Sequence, residues 1–343
     1  MNNEITITDR TQAKKSYLLT SAALIVYTAI AFSIALIFRF IFAQADAAGA
    51  VWHKAAHWNW ILTILENYVI AIPVFFLIIR RLPKDNRAGE KAGPKFFFTC
   101  LVSCVPLMYL GSILGNTLSS VIAGGKAHNV LLDYVSDPGI LKIIVTVIMA
   151  PLLEELVFRK LIIDHTSSYN ETAAVLFSAL AFGLFHHNLY QFFYAFLIGL
   201  VFGYVYLRTK NVLYSALMHM SINFVGAVIS PLLLKLTDVG QLFPDAEMGE
   251  EAEYLMSHPE VIPKLYGFFS NIIIVFLFSC TMIGLAVAGT VILIKNAKKI
   301  RFCRGENEIG MKAACKAAYL NIAFAVFLIV SIILSLRSIG LFS

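Results

Sequence analysis

The segment at 154–159, Glu-Glu-Leu-Val-Phe-Arg, places two carboxylates and a guanidinium beside the apolar run at 140–153. Charged groups at membrane depth are rare because desolvation disfavours them, and they usually face a bundle interior or a wet cavity. Glu155 and Arg159 are four residues apart and share a helix face, whereas Glu154 points about 100° away. The spacing predicts a structural Glu155–Arg159 ion pair and an unpaired Glu154 that can act as a general base.

Two later apolar segments each carry a histidine in an i, i+4 pattern. Phe182 and His186 share one helix face, and His219 and Asn223 share another. A carboxylate and one histidine can polarise a water molecule, while the second histidine and the amide can donate hydrogen bonds to a tetrahedral oxyanion. Together with Glu154, these residues form a set suited to hydrolysis.

The three motifs, in this order, resemble the CPBP (Abi) family of intramembrane proteases. That family includes type II CAAX prenyl endopeptidases and bacterial relatives tied to bacteriocin self-immunity. The resemblance covers residues 140–226, about a quarter of the chain. It implies hydrolysis of a peptide bond inside the membrane, in a cavity open toward the cytoplasm.

Carried over residue by residue, the resemblance implies a role for each motif position. Glu154 and His186 would activate the water, and His219 with Asn223 would form the oxyanion site. The second glutamate and the arginine of the first motif would support them. The candidate catalytic residues are therefore Glu154, Glu155, His186, His219 and Asn223, with Arg159 and Phe182 in supporting positions.

The resemblance leaves the cofactor open, because the need for zinc in this family is contested. Glu154, His186 and His219 could fill three zinc positions, and the same residues could run a metal-free glutamate mechanism. A His-Glu-x-x-His helix, the commonest zinc-protease pattern, does not occur in this sequence. The five cysteines lack metal-ligand spacing and add no candidate ligands.

The composition predicts an integral, multi-pass protein of the cell membrane. Of 343 residues, 59% are hydrophobic and 14% charged, and the mean hydropathy is +0.78, a balance that ordinary soluble domains do not approach. Apolar runs long enough to cross a hydrocarbon core of about 30 Å predict an all-α bundle of eight to nine transmembrane helices. Nine are expected at about 16–42, 59–79, 96–123, 139–158, 172–190, 191–208, 212–235, 267–294 and 316–340.

Basic residues cluster before the first helix, in the connection at 80–95 and in the connection at 295–304. When nine helices alternate, these clusters fall on one side of the membrane, and the acidic segment at 236–264 falls on the other. The positive-inside rule then places the N-terminus in the cytoplasm. Since the basic residues lie where this rule expects them, the net charge of +6 does not indicate a nucleic-acid partner.

The sequence divides into four parts. Residues 1–95 hold an N-terminal tail, two lead-in transmembrane helices and a basic cytoplasmic loop. Residues 96–235 form the core of the protease-like domain, with the motifs inside 140–226. An acidic extracytoplasmic loop at 236–266 leads to two C-terminal transmembrane helices within 267–343.

Two local features bear on the predicted site. Pro151 is expected to kink its helix one turn before Glu154, which leaves backbone carbonyls available to a cavity. Glu66, inside the second helix, is a lone acid that could contact a substrate.

Elsewhere, small residues predict close contacts between helices of this chain rather than dimer faces. These residues are Gly111, Gly115, Gly199 and Gly203.

The expected function is hydrolysis of a membrane-associated peptide or protein tail near the cytoplasmic face. The expected partners are membrane lipid and a peptide or protein substrate, either prenylated or a signalling or bacteriocin peptide. Two alternatives stay open, a proton- or ion-coupled transporter and a catalytically idle CPBP-like scaffold in bacteriocin immunity or signalling. A proton relay needs polar residues spread through the membrane, whereas a hydrolytic site needs them to converge.

Overall fold

The computed structural model describes residues 7–55, 57–125, 139–237, 256–258, 261–303 and 305–341. Within these ranges the chain forms ten helices and no β-strand, which confirms the expected all-α bundle. The acidic side chains of the 236–264 segment lie outside the described residues. In chain order the helices are α1 (Ile7–Ala47), α2 (His57–Ile79), α3 (Pro94–Ile122), α4 (140–163), α5 (Glu171–Phe185), α6 (Leu189–Thr209), α7 (Val212–Leu236), α8 (Ile262–Asn296), α9 (Met311–Tyr319) and α10 (Ile322–Ser338).

Six of the described helices are long and apolar enough to cross a membrane, namely α1, α2, α3, α6, α7 and α8. The bent pair α9 and α10, which turns by 60°, makes a seventh if the two helices form one span. The other two expected spans are α4, which contains several charged residues, and α5, which has only 15 residues. The protein is therefore an integral, multi-pass membrane protein, and its two least span-like helices carry the first two motifs.

Helix α6 lies at the centre of the bundle, against α3, α5 and α7. A methyl group at Gly111 of α3 would overlap the backbone of Tyr194 in α6. A methyl group at Gly199 of α6 would lie 3.2 Å from the Cα atom of Ala179 in α5. These contacts confirm that the glycines allow close packing between helices of this chain.

Helix α4 changes from α-helical to π-helical backbone at Ile144–Met149. The N–H group of Ala150 donates to the carbonyl of Val145, five residues earlier. The next carbonyl in this series, at Thr146, would need the N–H group of Pro151, which proline lacks. Pro151 therefore leaves the Thr146 carbonyl in need of another donor. π-helical turns of this kind are frequent at functional sites.

One end of the bundle, here called the basic face, is formed by the loop 80–93, the turn 164–170 and the segment 297–310. The first turns of α1 also reach it, because Ser16 Oγ lies 3.2 Å from Tyr169 Oη. The basic clusters predicted to share one side therefore meet at this end. The positive-inside rule predicts that this face lies in the cytoplasm, and this orientation stays a prediction.

A buried carboxylate, Asp85, fastens the loop 80–93 to the basic face. Its side chain is fully buried and accepts hydrogen bonds from Arg87 Nη2 at 2.6 Å, Ser167 Oγ at 2.7 Å and Lys210 Nζ at 3.0 Å. Burial alone would raise the pKa of this carboxyl, but the hydrogen bonds and the charge of Lys210 hold the pKa well below its usual range. Asp85 therefore ties the loop to the ends of α4 and α6.

Replacing this carboxylate is expected to loosen the basic face. Asp85→Asn should lower the free energy of unfolding by about 3 kcal/mol at neutral pH, because it leaves two cations without their buried partner. Because the folded-state pKa of Asp85 is lowered, this contribution is present above about pH 4 and is lost as the pH falls through the folded-state value. Thermal unfolding in detergent across this pH range measures the effect.

Glu90→Gln is the matched control, since Glu90 lies in the same loop and pairs with Arg208 at an exposed position. Removing an exposed pair should change the free energy of unfolding by less than about 1 kcal/mol. Equal losses in the two variants, or an Asp85→Asn deficit that persists unchanged at acid pH, would contradict the assigned role.

Candidate active site

Three side chains converge at the middle of the bundle. His219 Nε2 lies 3.9 Å from Glu154 Oε2, and His219 Nδ1 lies 3.4 Å from Glu155 Oε1. The Glu155 side chain is fully buried, whereas the Glu154 side chain is 22% exposed. One imidazole therefore sits between an enclosed carboxylate and an accessible one.

The buried carboxylate is held in place by Arg159. Arg159 Nε donates to Glu155 Oε2 at 2.9 Å, which confirms the ion pair predicted from the i, i+4 spacing. Arg159 Nη1 donates to Ser178 Oγ at 2.8 Å, and that hydroxyl donates to the carbonyl of Phe158 at 2.6 Å. The guanidinium also lies 4.9 Å from the centre of the Phe182 ring, a favourable cation–π arrangement.

Phe182 also connects the two motif histidines. Its ring lies edge-on to His186 at 4.9 Å and edge-on to His219 at 5.6 Å. His186 Nδ1 lies 2.9 Å from the carbonyl of Phe182, and a carbonyl can only accept, so this nitrogen is the donor. In the neutral imidazole Nε2 is then left as an acceptor.

The amide of Asn223 has a partner that the sequence did not indicate. Asn223 Nδ2 donates to the carbonyl of Thr146 at 2.8 Å. This is the carbonyl that Pro151 leaves without a backbone donor in the π-helical turn. The amide therefore joins α7 to α4, and its second N–H group stays available to another acceptor.

A cavity of about 220 Å³ opens onto Glu154. Beyond α4 and α5, its wall includes Tyr27 from α1 and Trp60, Asn67 and Tyr68 from α2. The sequence did not indicate these residues, because aromatic side chains in apolar helices are more often packing residues. A π-helical turn at Ile64–Ala71 lies in this part of the wall, and such turns are frequent at functional sites. The turn has no recognised sequence pattern, so the sequence did not reveal it.

Glu66 is placed differently from the expectation that it could contact a substrate. It does not line the cavity, and its Oε1 atom accepts a hydrogen bond from Asn67 Nδ2 at 3.1 Å. Its neighbours Asn67 and Tyr68 face the cavity instead. The lead-in helices thus contribute to the wall around Glu154, although not through their acidic residue.

The placement of Glu154, His186 and His219 bears on whether a zinc ion can bind. A catalytic zinc site needs about three protein ligands that converge within roughly 2 Å of one point. In the part of the chain that the structure describes, no three histidine, cysteine, aspartate or glutamate side chains are grouped in this way. Glu154, His186 and His219, as placed, do not fit a zinc site.

The fold and the site define a class, an integral membrane helix bundle with an enclosed carboxylate and histidine centre. A family model described as "Type II CAAX prenyl endopeptidase Rce1-like" matches residues 136–225, which contain every motif residue. This match confirms the resemblance to the CPBP family.

A curated relative points the same way. The chain is 27% identical over 201 residues to the "Putative membrane peptidase YdiL" of Bacillus subtilis (strain 168), covering 56% of this chain and 79% of that protein. No solved structure matches the chain. The two matches together support an intramembrane protease in general terms.

Proposed function

We propose that the protein is an intramembrane endopeptidase of the CPBP type, which hydrolyses a membrane-associated peptide or protein tail near the basic face. The observation that carries this proposal is the convergence of Glu154, His219 and Glu155, with both carboxylates within 4 Å of one imidazole. A proton relay would need such groups spread along a path through the membrane, so convergence favours hydrolysis over transport.

The proposed water lies between the Glu154 carboxylate and His186 Nε2. Glu154 takes a proton from the water as the oxygen attacks the carbonyl carbon of the peptide bond. The same proton then passes to the leaving nitrogen, so that the products are one carboxylic acid and one amine, and the acid then gives its proton to the amine or to solvent. The donor bond from His186 Nδ1 to a backbone carbonyl would keep Nε2 oriented as an acceptor throughout.

The negative oxygen of the intermediate needs donors that are already in place. The free N–H group of Asn223 is one. His219 is the other: its Nδ1 lies 3.4 Å from Glu155 Oε1, and its Nε2 would donate to the intermediate.

The depth of these groups fits a substrate that enters from the basic face. Glu154 lies ten residues from Asp164, at the end of α4, and His219 lies seven residues from the start of α7. At about 1.5 Å per residue, both lie roughly 10–15 Å from that face. A tail of a few extended residues would span this distance.

A cleavage assay on the purified full-length protein tests the proposal. Fluorogenic peptides with and without a lipid anchor are offered in detergent and in nanodiscs, with and without a chelator. Cleavage supports the proposal, and the chelator arm decides the metal requirement. No cleavage of any peptide by folded protein would contradict it, and proton flux in proteoliposomes would then favour transport over an idle scaffold.

Asn223 carries the sharpest prediction for the oxyanion donors. Asn223→Ala should lower kcat by about 10²–10³ with little change in KM, because it removes one donor that acts mainly in the transition state. Ser221→Ala in the same helix is the control, since that exposed hydroxyl donates only to the carbonyl of Leu217. A similar kcat in both variants would exclude Asn223 from the oxyanion site.

A further inference from the structure

A second cavity, larger than the one at Glu154, is separate from the candidate active site. It has a volume of about 790 Å³, within the range of roughly 300–1,000 Å³ that is usual for ligand sites. It lies between α3, α5, α6 and α8, at the end of the bundle nearest the basic face. The central helix α6 separates the two sites: Val201 and Tyr204 face this cavity, whereas the ring of Phe202 packs 5.5 Å from that of His219.

The interior of the cavity is apolar. Leucine, isoleucine, valine and phenylalanine side chains supply most of the lining, including Leu176, Leu197 and Leu293. Several of the polar side chains already have partners within their own helices. Ser103 Oγ donates to the carbonyl of Thr99, and Asn296 Nδ2 donates to that of Ile292. The interior therefore suits a hydrocarbon chain better than a peptide, whose backbone would find no partners.

The rim of the cavity is positively charged. Lys95 lies in the first turn of α3, and Lys299 follows the end of α8, so both stand at the basic face and both are exposed. No aspartate or glutamate is among the described residues that line the cavity. Lys295 and Lys298 add positive charge on the same connection.

One wall of the cavity is helix α8, a candidate membrane span with only 6% of its most apolar stretch buried inside the protein. Because this wall faces lipid, we expect the ligand to come from the leaflet itself. It must be apolar along its length and anionic at the end that meets the two lysines.

We propose that this cavity binds an anionic phospholipid of the leaflet at the basic face. One acyl chain occupies the space between α3, α6 and α8, and the phosphate lies between Lys95 and Lys299. Basic pockets between transmembrane helices on the cytoplasmic side are suited to anionic head groups. A neutral lipid would fill the same volume without using the charges at the rim.

Lipid titration of the full-length protein in detergent tests this site. Phosphatidylglycerol and phosphatidylcholine with identical acyl chains are the probes, and native mass spectrometry and thermal shift are the readouts. The wild type should bind phosphatidylglycerol at least about tenfold more tightly, as two nearby lysines imply. Only the tighter ligand should raise the unfolding temperature at low concentration.

Two variants test where the lipid binds. Lys95→Gln with Lys299→Gln should abolish the preference for phosphatidylglycerol, whereas the control pair Lys312→Gln with Lys316→Gln, both exposed on α9, should retain it. Val201→Trp, which fills the interior, should weaken the binding of both lipids. Equal binding of the two lipids by the wild type, or a preference that survives loss of the rim lysines, would overturn the proposal.

Discussion

Glu154→Gln is expected to lower kcat for peptide cleavage by about 10³-fold or more. An amide of the same shape cannot take a proton from water, and general-base catalysis alone contributes about 10²–10⁴. The KM value should stay within a few fold of the wild type, because the side chain keeps its volume in the cavity. Steady-state kinetics on the best fluorogenic peptide, with folding checked by thermal unfolding, gives both numbers.

Glu66→Gln is the matched control for this prediction. Glu66 is also a half-buried glutamate inside a membrane span, but it does not line the cavity at Glu154. Its replacement should leave kcat within about twofold of the wild type, as expected for a group that makes no contact in the transition state. If both variants lost activity equally, a general effect of charge removal would explain the result better than a specific base.

Arg159→Met is expected to lower the free energy of unfolding by about 3–5 kcal/mol, since it leaves the fully buried Glu155 without its cation. Replacing both partners, as in Glu155→Leu with Arg159→Met, should recover most of that loss, because an apolar pair of similar volume needs no charge compensation. Denaturant titration in mixed micelles measures these differences. Lys160→Met, at the exposed neighbouring position, should have little effect.

The double replacement also separates folding from chemistry. Without Glu155, His219 Nδ1 loses the carboxylate that lies 3.4 Å away, so the stable double variant should remain inactive in the cleavage assay. A double variant that is both stable and active would show that the Glu155–Arg159 pair is dispensable to the site. A double variant that stays as unstable as Arg159→Met would show that the pair supplies net stability.

The helices and the first motif could be predicted from the sequence. Helix α3 was expected at 96–123 and lies at Pro94–Ile122, and α7 was expected at 212–235 and lies at Val212–Leu236. Hydropathy determines such bounds because every backbone group in a bilayer must be paired within its own helix. The Glu155–Arg159 pair followed from helical periodicity alone. The division of the chain into four parts, and the catalytic roles, stay predictions.

Contacts between distant segments could not be predicted. The bond from Asn223 to Thr146 depends on a π-helical turn next to Pro151, and periodicity gives neither the turn nor the partner. The contribution of Tyr27 and Tyr68 to the cavity depends on how the lead-in helices pack. Asp85 reads as part of a solvated loop, yet its carboxylate is enclosed by Arg87 of the same loop and by Ser167 and Lys210 from two other segments. Such enclosure is a property of the folded chain.

The most direct test of the central claim is mass spectrometry of the products from a lipid-anchored peptide in nanodiscs. Wild type, Glu154→Gln and Glu66→Gln are compared side by side at equal amounts of folded protein. If the proposed site is correct, the wild type and Glu66→Gln yield two fragments whose masses sum to that of the peptide plus one water. Glu154→Gln yields no fragments. Intact peptide with folded wild type, or equal amounts of fragments with Glu154→Gln, would contradict a protease centred on Glu154.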